Sequence, residues 1–115
     1  MVGKPDTSTK KKLPSSLIVN DESPDFGVYP LTEKETVIGR SPDTDIQLSH
    51  DPTISRHHFK VVKGDGKYKI VDMKSANGTF VNGIKVAETE LLDKDEIQAG
   101  QTKILFRTGT QGSNR

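Results

Sequence analysis

Short apolar segments separated by turn residues run through most of the chain. Residues 58–63 and 67–72 alternate apolar and polar side chains, which is typical of half-buried β-strands. Further strand candidates are the short apolar segments at residues 17–19, 35–38, 80–81, 84–86, 96–97 and 102–107. No window carries an apolar stripe at helical spacing over three turns. The pattern therefore predicts strands and no substantial helix.

Turn chemistry divides these segments. Residues 63–66, Lys-Gly-Asp-Gly, lie between the two alternating segments, and Asp-Gly tolerates the positive φ angles of a tight hairpin. Asn77-Gly78 and Asn82-Gly83 repeat the signal, and the second pair predicts a hairpin between residues 80–81 and 84–86. We therefore predict an all-β protein of about ten short strands, built as a sandwich or a barrel.

The composition sets the domain limits. The chain has 115 residues, which fits one domain. Residues 1–12 are polar and include three consecutive lysines, so we expect a disordered tail. Residues 108–115 have the composition of a tail or linker, and whether an output domain follows them is left open. The folded domain is then predicted to span residues 13–107.

Charge and cysteine content exclude several classes. The net charge of +1 argues against a general nucleic-acid binder, and the absence of cysteine removes disulfides and thiolate metal sites. The chain has neither an apolar run of the roughly 20 residues that span a bilayer nor a secretory signal. We expect a cytoplasmic protein with no nucleic-acid partner, no membrane partner and no cofactor.

Two arginines at strand ends are candidates for binding an anion. Arg40 leaves a strand into a loop, and its planar guanidinium suits carboxylate or phosphate. The alternative is a surface ion pair with Asp43 or Asp45. Ser55 and Arg56 add a hydroxyl and a second guanidinium before the next strand, unless the serine only bonds its own loop.

The remaining polar candidates are an asparagine and adjacent histidines. Asn77 either forms a turn or grips an extended peptide, since an amide both donates and accepts hydrogen bonds. His57 and His58 point to opposite faces of a strand, so together they cannot ligate one metal ion. A hydrolase triad of Ser55, His58 and Asp72 lacks a nucleophile elbow and an oxyanion hole. Neither a metal site nor an enzyme is expected.

Taken in order, these motifs resemble the signature of the forkhead-associated (FHA) domain family over roughly residues 15–107. The matching segments are Gly39-Arg40, Ser55-Arg56-His57-His58, Asn77-Gly78-Thr79 and Asn82-Gly83, with residues 45–48, 71–72 and 92–97 between and after them. The resemblance implies an FHA-like β-sandwich of about 10–11 short, mostly antiparallel strands. It also implies a module that binds phosphothreonine-containing protein segments downstream of a Ser/Thr kinase.

The resemblance also implies roles for individual residues. Arg40, Ser55 and Arg56 would contact phosphate, and Asn77 would hold the main chain of the ligand. Thr53, Ser75 and Asn82 are further candidate contacts, although a turn role is favoured for Asn82. The matching residues with architectural roles are Gly39, His58, Gly78 and Gly83.

One position departs from the family pattern. Many members carry Thr or Ser directly before the asparagine, whereas this chain has Ala76, preceded by Ser75. One phosphate contact is therefore expected to be missing, with Arg56 in a position to compensate.

The rival hypothesis is a phosphate-independent interaction or dimerisation domain. Thr7 and Thr9 in the tail are candidate phosphorylation sites whose phosphorylated form could occupy the site of this molecule or of a neighbour.

Overall fold

The computed structural model describes residues 14–19 and 25–109, which form eleven short strands. In chain order these are β1 (Ser16–Val19), β2 (Gly27–Pro30), β3 (Glu35–Gly39), β4 (Ile46–Gln47), β5 (Phe59–Gly64), β6 (Lys67–Asp72), β7 (Thr79–Val81), β8 (Ile84–Val86), β9 (Glu88–Leu91), β10 (Glu96–Ala99) and β11 (Thr102–Arg107). The predicted tails, residues 1–12 and most of 108–115, lie outside the described residues, as do Thr7 and Thr9.

The strands form two sheets that enclose one core. One sheet has the order β2-β1-β11-β10-β7-β8 and the other the order β4-β3-β5-β6-β9. Only β3 and β4 pair in parallel among the described strands. Leu17, Ile104 and Phe106 of the first sheet and Phe59 and Ile70 of the second lie in the same buried cluster. The all-β sandwich predicted from the sequence is confirmed.

The alternating segments bury the faces that their patterns predict. Strand β6 runs from Lys67 to Asp72 as expected, and Ile70 is fully buried. Strand β5 begins at Phe59, one residue after the predicted start, and buries Phe59 and Val61. These buried apolar side chains contribute the area that stabilises the domain.

Both predicted hairpins have the expected turn geometry. Asp65 and Gly66 between β5 and β6 have φ angles of 53° and 74°. Asn82 and Gly83 between β7 and β8 have φ angles of 51° and 84°. Two successive positive φ angles match the right-handed twist of the flanking strands, which fixes the pairing register.

The two ends of the sandwich differ. At one end, Gly109 N donates to Ser15 Oγ over 3.0 Å, so the first and last described residues meet there. Strand β11 runs away from this end to begin at Thr102, whose hydroxyl donates to Asp51 over 2.9 Å. The loops after β3, before β5 and before β7 therefore gather at the opposite end. No helix among the described residues is long and apolar enough to cross a membrane.

Candidate functional site

His58 lies at the centre of the loop end and is fully buried. Its Nδ1 accepts a hydrogen bond from Ser55 N (3.0 Å), and its Nε2 lies 2.9 Å from Gly78 O. Because a carbonyl only accepts, Nε2 carries the proton and Nδ1 does not. The imidazole thereby joins the loop before β5 to the turn before β7.

Glycine is required where two of these loops meet. A Cβ on Gly39 would lie 2.0 Å from Arg56 O, a backbone atom that also accepts from Ser41 N over 3.1 Å. Gly78 has a φ of 87°, a conformation that side chains disfavour. The end of β3 therefore contacts the backbone of the loop before β5 directly.

Arg40 is anchored at one edge of its guanidinium. Its Nε donates to Ile54 O over 2.9 Å, and its main-chain N donates to Ser55 O over 3.0 Å. Ile54 is itself buried in the core, so the anchor is rigid. Arg40 is exposed, and its two terminal nitrogens have no hydrogen-bond partner within the described residues.

The ion pairs considered for Arg40 do not form in the described part of the chain. Asp43 instead contacts His57 Nε2 over 3.0 Å, and Asp45 accepts a hydrogen bond from Val37 N over 2.8 Å. The hydrogen bond from the Ser41 side chain, aided by His57, lowers the pKa of Asp43 below its ordinary value. Both carboxylates therefore have other partners, and neither forms an ion pair with Arg40 within the described residues.

Ser55 is positioned with a free donor. Its Oγ accepts a hydrogen bond from Ala76 N over 2.9 Å, which uses a lone pair and leaves the hydroxyl proton for another acceptor. Arg56 follows it and is exposed, and its guanidinium has no hydrogen-bond partner among residues 14–19 and 25–109. Arg40, Ser55 and Arg56 therefore lie on adjoining stretches of backbone with donors available.

Asn77 ties the third loop to the second. Its Nδ2 donates to Thr53 O over 2.8 Å, while its Oδ1 accepts no hydrogen bond from any described residue. Thr53 is held in turn, because its main-chain N and its Oγ both donate to Asp51. The hydroxyl of Thr53 is consequently engaged inside the loop.

Asp51 is a site-forming residue that the sequence analysis missed. It is buried, and its second carboxylate oxygen accepts from Gln101 N (2.8 Å) and Thr102 Oγ (2.9 Å). Burial raises its pKa, but the hydrogen bonds, those from Thr53 first, outweigh this effect and lower the pKa to about 2. The local signal was the Asp-Pro-Thr sequence, which favours a side-chain-capped turn.

Ser75 is engaged inside its own turn. Its Oγ donates to Asp72 Oδ1 over 2.6 Å and accepts from Gly78 N over 2.9 Å. Thr79 Oγ also donates to Asp72 over 2.7 Å. Burial raises the pKa of Asp72, but the bonds from Ser75 and Thr79 outweigh it and lower the pKa below its ordinary value. These contacts shape the turn that carries Asn77.

Asn82 lies at the other end of β7 from Asn77. Its Nδ2 donates to Asp95 Oδ1 and its Oδ1 accepts from Glu96 N, both over 2.9 Å. Its positive φ places it in the β7–β8 turn together with Gly83. A Cβ on Gly83 would meet nothing within 4 Å, so its conformation alone requires glycine there.

The metal and hydrolase arrangements find no support in the contacts. In the part of the chain that the structure describes, no group of three or more His, Cys, Asp and Glu side chains could hold a metal ion. The ring nitrogens of His58 bond main-chain atoms of Ser55 and Gly78, not the serine hydroxyl. Asp72 binds Ser75 and Thr79 instead of the imidazole. The three residues considered as a triad therefore do not form one.

Comparison with known proteins places the chain in a family. Residues 36–100 match the family model of the FHA domain. The chain is 37% identical over 101 residues to the glycogen accumulation regulator GarA of Mycolicibacterium smegmatis, covering 87% of this chain and 63% of that protein. It is 38% identical over 98 residues to the oxoglutarate dehydrogenase inhibitor of Corynebacterium jeikeium, covering 84% and 67%. The chain thus spans about two thirds of the length of these relatives or slightly less.

A solved structure agrees with these sequence matches. A domain studied for phosphothreonine-dependent FHA domain interactions has a TM-score of 0.76 and 33% identity, covering 82% of this chain and 95% of that chain. FHA domains bind phosphothreonine peptides, and relatives of this chain act as regulators. The strand order, the loop contacts and the matched residues 36–100 lead to one conclusion. The chain belongs to the FHA domain family, the phosphothreonine-binding modules of kinase signalling.

Proposed function

We propose that Arg40, Ser55 and Arg56 bind the phosphate group of a phosphothreonine in a partner protein. A phosphothreonine carries a charge of about −1.5 to −2 at neutral pH and three strong acceptor oxygens. The two guanidinium groups supply opposite charge and paired N–H donors, and the Ser55 hydroxyl supplies a neutral donor. An unmodified threonine offers these groups no charge, so the module would detect kinase output.

The single observation that carries this proposal is the bond from Arg40 Nε to Ile54 O (2.9 Å). It fixes the guanidinium by one edge and leaves the terminal nitrogens for a ligand. Ser55 Oγ is fixed in the same way by Ala76 N. Donors that are held before binding lose less conformational entropy when the phosphate arrives, which strengthens binding.

Asn77 is proposed to hold the main chain of the peptide through its Oδ1. Its Nδ2 is spent on Thr53 O, so the amide is oriented with its acceptor available. The hydroxyls of Thr53 and Ser75 and the amide of Asn82 are engaged within the domain. We therefore assign these three residues to loop structure and leave them outside the proposed contacts.

The test compares one peptide with and without phosphate on its threonine. Arg40→Ala should weaken binding of the phosphopeptide about 10- to 100-fold, because charge-assisted hydrogen bonds worth about 1.5–3 kcal/mol are lost. Arg107→Ala is the matched control, since that arginine pairs with Asp93 at the opposite end of the sandwich. Isothermal titration calorimetry measures both, with circular dichroism to check folding. Unchanged affinity in a folded Arg40→Ala variant would contradict the proposed site.

The names of the relatives support a regulatory role for the domain. The relatives are named as a regulator and as an enzyme inhibitor, which supports a non-catalytic role exerted through bound proteins. We propose a cytoplasmic module that a Ser/Thr kinase controls and that regulates a partner or an attached output domain. Its ligand is a phosphorylated segment of another protein or its own tail, where Thr7 and Thr9 are candidates. A short tether would raise the local concentration of the tail to the millimolar range.

Docking of an unmodified protein is the second candidate. Phe26 and Val28, at the edge strand β2, have 59% and 62% of their surface exposed. Among the described strands, β2 has a neighbour on one side only, and exposed apolar side chains beside such an edge are suited to protein contact. Equal affinity for the phosphorylated and unphosphorylated peptides would favour this function over the first.

A further inference from the structure

Lys85 lies over the turn that carries Asn77. It pairs with Phe80 across the β7–β8 hairpin, so Gly78 is its diagonal neighbour. A Cβ on Gly78 would lie 2.8 Å from Lys85 Cε and 3.5 Å from its Cδ. The apolar stem of the lysine therefore covers the bare backbone of Gly78, and this contact fixes where the ammonium group projects.

Lys85 has no acidic partner within the described part of the chain. The nearby carboxylates accept hydrogen bonds from within the domain: Asp43, Asp51 and Asp72. Lys85 and Arg56, by contrast, have no ion pair among residues 14–19 and 25–109. Lysines on the sheet faces include some that are paired, such as Lys60 with Glu35 over 3.1 Å. The ammonium group of Lys85 is therefore available to a carboxylate of a ligand.

We infer that Lys85 selects ligands with an acidic residue close to the phosphothreonine. The inference rests on the proposed phosphate site and specifies which phosphopeptides bind there most tightly. Asn77, the proposed main-chain contact, directly precedes the glycine that the lysine covers. A peptide whose main chain is held by Asn77 would therefore pass the Lys85 ammonium group one or two residues away from the residue that is held. A carboxylate at that point would pair with a cation that is already positioned.

The experiment uses the whole 115-residue chain and labelled synthetic peptides. The reference peptide has one phosphothreonine flanked by alanines, and a glutamate is placed singly at each of three positions on either side. Fluorescence anisotropy gives the Kd of each peptide for the wild type and for Lys85→Met, which keeps an apolar stem and removes the charge. Lys67→Met is the matched control, because Lys67 begins β6 at the opposite end.

At one position, glutamate should tighten binding to the wild type about threefold to fivefold, the range of an exposed ion pair. That gain should disappear in Lys85→Met, persist in Lys67→Met and fall with added salt. A gain of equal size in Lys85→Met, or no gain at any position, would overturn the inference. Either result leaves the phosphate site intact as long as Arg40→Ala still weakens the reference peptide. If Arg40→Ala has no effect, the proposed function itself fails.

Discussion

Replacing Asp51 by asparagine tests how the phosphate-site loops are held. The Asp51 carboxylate accepts hydrogen bonds from Thr53 on one oxygen and from Gln101 and Thr102 on the other. The asparagine side chain carries no negative charge. Its NH2 group would replace one of the two accepting oxygens and would face hydrogen-bond donors of the protein. The loop that supplies Thr53 O and Ile54 O would lose its attachment to the β10–β11 turn.

The magnitude follows from the pKa. Asp51 has a pKa of about 2 in the folded protein, against an ordinary value of 3.8. Because the folded pKa is the lower one, the ionised group stabilises the fold above pH 3.8, and that contribution is lost as the pH falls toward 2. A difference of nearly two pKa units corresponds to about 2 kcal/mol at pH 7 and to less than about 1 kcal/mol at pH 2.

Urea unfolding of the wild type and of Asp51→Asn between pH 7 and pH 2 measures this contribution. The free energies of unfolding should differ by about 2 kcal/mol at pH 7, and the two curves should converge as the pH approaches 2. Asp65→Asn is the control, since Asp65 is exposed in a turn with a φ of 53° that asparagine also tolerates. A difference that does not change with pH would refute the assignment of the stabilisation to the ionised carboxylate.

Three further predictions concern the loops of the proposed site. His58→Ala should lower Tm by about 10 °C or more and weaken phosphopeptide binding, because Ser55 N and Gly78 O lose buried partners. Ser55→Ala should weaken binding about threefold to tenfold with little change in Tm, and calorimetry distinguishes the two outcomes. A His58→Ala variant as stable as the wild type would contradict its structural role. Ala76→Thr should tighten phosphopeptide binding severalfold by supplying the missing hydroxyl, and an unchanged Kd would show that Arg56 already satisfies the phosphate.

The strands that the sequence predicted are those with strong local signals. Strands β5 and β6 alternate regularly on both sides of Asp65-Gly66, and β7 and β8 flank Asn82-Gly83. Strands β2, β4 and β9 were not predicted because their signals are weak. β2 ends in a proline, β4 has two residues, and β9 carries two glutamates in four positions. All three lie at sheet edges, where pairing with one neighbouring strand (β1, β3 and β6, respectively) stabilises them.

The residues of the candidate site could be named from the sequence, whereas the hydrogen bonds between them could not. Arg40, Ser55 and Asn77 could be named because their order along the chain matches a family pattern. The anchoring of Arg40 on Ile54 O could not be foreseen, since 14 residues separate the two. The role of Asp51 depends on Thr102, 51 positions away, which no local pattern reveals.

The meeting of the first and last described residues at one end of the sandwich limits which tail sites a molecule can bind itself. Strand β11 alone separates that end from the phosphate loops by about 17–20 Å, given about 3.4 Å per residue over its six residues. The five residue-to-residue steps from Thr9 to Pro14 span at most about 18 Å when fully extended, and the seven steps from Thr7 to Pro14 span at most about 25 Å. The loops add to this separation. The segment from Thr7 is therefore the one with the length that the proposed binding of a tail to its own molecule requires. In the proposed binding of a tail, a phosphate on Thr9 has the shorter reach and would bind more readily to a second copy.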